Sequence, residues 1–159
     1  MGLNEYQLDA GENPFTYEFV SEGPKGNIRK IVQFSRMGYG EIYNLGFGDL
    51  NPETGDLDDL IVTDNNDGEK VLATVVSAVY AFLNNFPHAL IYATESTPAR
   101  IRLYRMGINK YFEIAENDFF LFGETQTDWE AYVRGKNYLA FAIQRKRVIL
   151  GYEKEYRQF

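Results

Sequence analysis

Four aspartates crowd a short stretch of the chain: Asp58, Asp59, Asp64 and Asp67. Carboxylates this dense are the usual ligands of Ca²⁺, whose loop runs D-x-[DN]-x-[DN]-G. Counted from Asp64, however, Gly68 arrives one position early. The stretch therefore reads as a solvated acidic turn, and no metal is expected. Sulfur ligation and a cysteine nucleophile are excluded, since the chain has no cysteine. The one histidine, His88, follows Pro87. Nothing in the sequence supplies a serine partner for it, and it reads as a surface side chain. Arg100, Arg102 and Arg105 fall on one short predicted helix. Arg102 and Arg105, three apart, can present together, while Arg100 stands near the N-terminus, where the helix dipole favours an anion. A solvated helix face and an anion site are both open. The run Arg145-Lys146-Arg147 reads as a strand end in solvent, or as a contact for nucleic acid or an acidic partner surface.

Holding these residues requires both strands and helices. Phe15, Tyr17 and Phe19 alternate with Thr16 and Glu18, the period of a half-buried strand. After the turn residues Ser21 to Gly26, a second run places Ile28, Lys30, Val32 and Phe34 on one face, giving an antiparallel hairpin. Tyr43, Leu45 and Phe47 form a third strand, alternating with Asn44, Gly46 and Gly48. These glycines suggest a bulge or a close approach. Leu57 to Thr63 is a shorter fourth strand. Asp64 to Gly68 can cap a helix on which Leu72, Val75, Val76, Val79, Leu83 and Phe86 recur at spacings of three and four. Pro87 stops it. Ala89 to Thr94 reads as a buried central strand. Thr97-Pro98 starts a second, short helix that Gly107 closes in the left-handed position. Phe119 to Phe122 and Tyr138 to Gln144 are strands, with Trp129 to Tyr132 as a possible extension of the latter. The tail from Arg145 gives no clear pattern.

The order ββββ-α-β-α-ββ predicts an α+β fold with a mainly antiparallel, curved sheet. Residues 1–14 read as a flexible acidic lead-in and 15–159 as one domain, a fit for 159 residues of which 45% are hydrophobic. No apolar run reaches the roughly 18 residues that span a bilayer, and the N-terminus lacks a secretory pattern, so a cytoplasmic protein is expected. The net charge of −7 is unevenly spread. Up to Pro98 there are 5 basic against 15 acidic residues, and from Ala99 onward 11 against 8. That balance repels a phosphate backbone, so a nucleic-acid partner is not expected, while a protein partner stays open.

Thr97-Pro98-Ala99-Arg100-Ile101-Arg102-Leu103-Tyr104-Arg105-Met106-Gly107-Ile108 resembles the second half of the GCN5-related N-acetyltransferases, whose stretch reads roughly N-x-x-A-x-x-L-Y-x-x-x-G-F. The element order is similar too. The match rests on Leu103, Tyr104 and Gly107. The resemblance implies an acyltransferase-like fold with acetyl-CoA or another acyl-CoA as cofactor, held by the elements after the meander. It implies Tyr104 as the acid that protonates the departing thiolate. Asp67, Gly68, Lys70, Thr97 and Arg100 would be the cofactor-binding residues. Where that family carries a basic, glycine-rich loop, Thr63 to Lys70 carries three carboxylates and one lysine. The whole chain also resembles a family of uncharacterised bacterial proteins, through Ser96 to Ile108 and the turn Gly48-Asp49-Leu50-Asn51. Two functions are thus expected: an acyltransferase-like domain with altered or lost transfer activity, or a non-catalytic module binding a protein or nucleic acid through its basic C-terminal half.

Overall fold

The structure is a computed structural model that describes residues 4–58, 63–94 and 98–146. Strands β1 (Asp9–Ala10), β2 (Thr16–Gly23), β3 (Gly26–Arg36) and β4 (Ile42–Asp49) lead into helix α1 (Gly68–Asn85). Strand β5 (Leu90–Ala93), helix α2 (Pro98–Asp118) and strands β6 (Phe119–Glu124), β7 (Trp129–Ala131) and β8 (Ala140–Arg145) follow. The strands form one sheet in the order β1-β2-β3-β4-β5-β8-β6-β7. The pairings are antiparallel except β4 with β5, which the crossover through α1 makes parallel. The α+β class and the central position of β5 agree with the sequence.

The differences have local causes. β7 is a strand of its own, paired with β6, and does not extend β8; β8 instead inserts between β5 and β6. Of the expected fourth strand, Leu57 makes an isolated bridge with Leu50, and residues 59–62 lie outside the described set. The lead-in is built into the fold. β1 pairs with β2, and Tyr6 stacks on Phe19 with ring centroids 5.7 Å apart while its N–H donates to Thr74 Oγ1. Gly107 does not close α2, which runs on to Asp118. It sits instead where α2 crosses α1, and a Cβ there would stand 3.2 Å from Leu72 Cδ2. Gly46 marks a close approach of the kind its strand suggested, since a Cβ would meet Leu57 Cδ2 at 2.9 Å.

Both helices pack on one face of the sheet, filling a single aromatic core. Phe82 of α1 stacks on Phe34 of β3 with centroids 4.1 Å apart, and Tyr43 meets its edge at 5.0 Å. From α2, Tyr104 joins the same core near Phe141 and Ile143 of β8. Among the described residues no helix lies over the other face, which exposes Ile42, Phe120 and Trp129.

Candidate functional site

The loop before α1 is fastened to the β2–β3 hairpin by Asn65, which is buried. Asn65 Nδ2 donates to Gly26 O at 2.8 Å, and its Oδ1 accepts from Lys25 N–H at 2.7 Å. Only glycine at position 23 permits this contact, because a Cβ there would fall 2.1 Å from the Asn65 carbonyl. Two residues later the chain reaches Asp67, the residue that precedes the helix and by type should cap it. Its side chain makes no such bond. Asp67 Oδ2 accepts instead from the Tyr6 hydroxyl at 2.6 Å and the Ser21 hydroxyl at 2.5 Å. Among the described residues the first-turn amides of α1 are therefore left without a side-chain acceptor, at the positive end of an 18-residue helix.

Gly68, at the start of α1, borders a cleft of about 340 Å³ that is floored by Lys30 and Phe47, with Asp64, Asp67 and Val71 on its side and Arg102, Leu103 and Met106 on the other. Its outer part continues over Lys70, Lys110 and Arg134. The acidic residues at this rim are largely engaged. Glu69 pairs with Lys110 at 2.7 Å, and that ammonium holds its carboxyl below the usual range. Asp67 is turned toward Tyr6, leaving Asp64, which accepts from Asn66 N–H at 2.9 Å. The repulsion suggested by three carboxylates in sequence is thus reduced by where two of them point.

Of the residues expected to bind a cofactor, Asp67, Gly68 and Lys70 come together at this rim. Lys70 Nζ lies over the Tyr6 ring, 4.4 Å from its centroid. Arg100 stands in the first turn of α2, and Thr97 lies outside the described residues. Arg102 and Arg105 do not present together. Arg102 lines the cleft, while Arg105 donates to Asn137 Oδ1. In the basic run, Arg145 donates to Asn84 Oδ1 and Lys146 to the Glu116 carbonyl; Arg147 lies outside the described residues.

Tyr104 does not line that cleft. Pairing of β4 with β5 stops at Asn44↔Tyr92, while β4 continues to Asp49. β5 itself ends one residue later, at Ala93. The Tyr104 hydroxyl lies 3.5 Å from the carbonyl of Leu45, the residue after the last one of β4 paired with β5. Tyr104 is 6% exposed, and the void beside it is about 60 Å³ and wholly apolar in its lining. None of the residues lining that void lines the cleft of about 340 Å³.

Sequence reasoning missed Lys30. It is 1% exposed and stands on the core face of β3, in register with Asp49 of β4. Its Nζ donates to Asp49 Oδ1 at 2.6 Å and to Thr63 O at 2.7 Å. Asp49 also accepts from the N–H and the hydroxyl of Thr63. A lysine alternating with Val32 and Phe34 was the available signal, because a charge on an apolar face needs a partner. Among the described residues no cluster of three His, Cys, Asp or Glu could hold a metal ion, and no helix is long and apolar enough to cross a membrane.

Fold and cleft together define an α+β protein with helices on one sheet face and a ligand-sized cleft where the first helix begins. The chain belongs to a family of unknown function, DUF6934, whose family model matches residues 2–146. Comparison with curated proteins and with solved structures returned no match.

Proposed function

We propose that this protein is an acyltransferase-like domain that binds an acyl-CoA-type ligand in the cleft between α1 and α2, and that transfer chemistry through Tyr104 has been lost. The observation that carries the binding half is the start of α1. There Asp67 is held off by Tyr6 and Ser21, so the uncovered amides and Arg102 offer an anion two kinds of donor across one cleft. The cleft's apolar walls, Val71, Leu103 and Met106, suit a chain such as pantetheine. The burial of Tyr104 against Leu45 carries the second half. Calorimetry with acetyl-CoA tests binding, with Arg102→Ala expected to weaken it. A parallel assay for thioester cleavage is expected to read background. Absence of heat at millimolar ligand refutes the binding half, and Tyr104-dependent turnover refutes the other.

A second reading, a module for a protein partner, is favoured by the sheet face that no helix covers among the described residues, where Phe120 is 49% exposed and Ile42 and Trp129 are exposed on the same face. Under it, Phe120→Asp abolishes partner capture and leaves acetyl-CoA binding intact.

A further inference from the structure

The inner end of the cleft carries more information about its ligand than the rim does. Lys30 reaches the floor beside Phe47 yet is almost wholly buried. A lysine ammonium has three N–H donors. Two are taken by Asp49 Oδ1 and the Thr63 carbonyl, and among the described residues nothing accepts the third. Asp49, in contrast, already accepts from Lys30 and from both donors of Thr63. Among the described residues the cluster thus has a donor to spare, while Asp49 has its acceptors engaged.

Charge then selects the acceptor. Lys30 and Asp49 cancel, so a carboxylate or phosphate placed against them would bring an unbalanced charge among Phe47, Val71 and Leu103. A neutral carbonyl oxygen brings an acceptor and no charge. The cleft's other cation, Arg102, lies on the α2 side, and the carboxylates Asp64 and Asp67 line the cleft as well.

We propose that Lys30, held by Asp49 and Thr63, is a specificity-determining residue that donates a hydrogen bond to one neutral carbonyl oxygen, of a thioester, ester or amide, at the buried end of the ligand. This rests on the reading of the cleft as a ligand site. It does not depend on the ligand carrying phosphates.

Two uncharged probes test it: S-ethyl thioacetate, and diethyl sulfide, which has the same skeleton without the carbonyl oxygen. In NMR titrations of the full chain, both are expected to shift the Val71 and Leu103 methyl signals, and only the thioester to shift the ammonium signal of Lys30. Wild type should prefer the thioester by about tenfold, the worth of one hydrogen bond to a charged donor. Lys30→Met alone leaves Asp49 buried without its ion partner and risks misfolding, so the comparison uses Lys30→Met/Asp49→Leu, which removes both charges. That variant is expected to bind the two probes equally. An unmoved Lys30 signal, a preference that survives in the double variant, or failure of both probes to enter the cleft overturns the proposal. If wild type prefers the thioester but does not bind acetyl-CoA, the CoA reading falls and this one stands; if acetyl-CoA binds and the preference is absent, the reverse holds.

Discussion

Lys30 and Asp49 face each other directly across β3 and β4, and their side chains meet at 2.6 Å beneath the start of α1. Such a pair contributes little to stability as a pair, but removing one partner leaves a buried charge without its counterion. Lys30→Met should therefore lower unfolding stability by about 3–5 kcal/mol. Lys30→Met/Asp49→Leu should recover most of it. Urea denaturation of the two variants checks this, and equal losses in both would mean that the pair is not the determinant.

Asp67 is kept from capping α1 by two hydroxyls. In Tyr6→Phe/Ser21→Ala the carboxylate is free to turn to the first-turn amides, where a capping aspartate is worth about 1 kcal/mol. It would then compete with a bound anion. Calorimetry should show acetyl-CoA affinity reduced several-fold to about tenfold, in line with that ~1 kcal/mol.

Two glycines should respond in opposite directions. At Gly107 alanine gains about 1 kcal/mol of helix propensity, and the Leu72 methyl it approaches borders a void of about 60 Å³ into which it can turn. Gly107→Ala should leave thermal stability equal or slightly higher. At Gly123 a Cβ would stand 2.3 Å from the Tyr138 ring, itself packed on Tyr132 and bonded to Glu130. Gly123→Ala should cost about 2–3 kcal/mol through overpacking.

Alkali should unfold the protein. Burial is the leading cause that raises Tyr6, Tyr17, Tyr80, Tyr92, Tyr132 and Tyr138 above the ordinary tyrosine value of 10.0. The native state keeps these protons at a pH where the unfolded chain releases them, so the unfolded state binds fewer and stability falls as pH rises. Their contribution is complete below pH 10 and is lost as pH climbs through the raised values. Phenolate absorbance should rise late and together with loss of structure, in place of a gradual titration near the free value.

Local periodicity made much of this fold legible. The alternation in β2 to β4 and the three-and-four spacing of Leu72, Val75, Val79 and Leu83 are properties of single segments, and they predicted β2, β3, β4 and α1. Long-range choices were not readable. Nothing in Ala140 to Arg145 tells that β8 pairs with β5 on one side and β6 on the other. The length of α2 was hidden by Gly107, whose role is fixed by Leu72 on another helix. For the cleft rim, Asp67, Gly68 and Lys70 were named only through the acyltransferase resemblance, and they lie together because they are neighbours at the start of α1. The direction in which Asp67 points depends on Tyr6 and Ser21, which lie 61 and 46 positions away. Lys30 was visible as a misfit on an apolar face, but its partners Asp49 and Thr63 emerge only once β3 and β4 are paired.

The account centres on an anion received at the uncapped start of α1, with Tyr104 taking no part. Amide NMR titration of wild type and Tyr104→Phe with acetyl-CoA tests this most directly. The account predicts that the Gly68 and Glu69 amides and the Arg102 side chain shift together, with the same affinity in both proteins. Shifts confined to other surfaces, or binding lost in Tyr104→Phe, would contradict it.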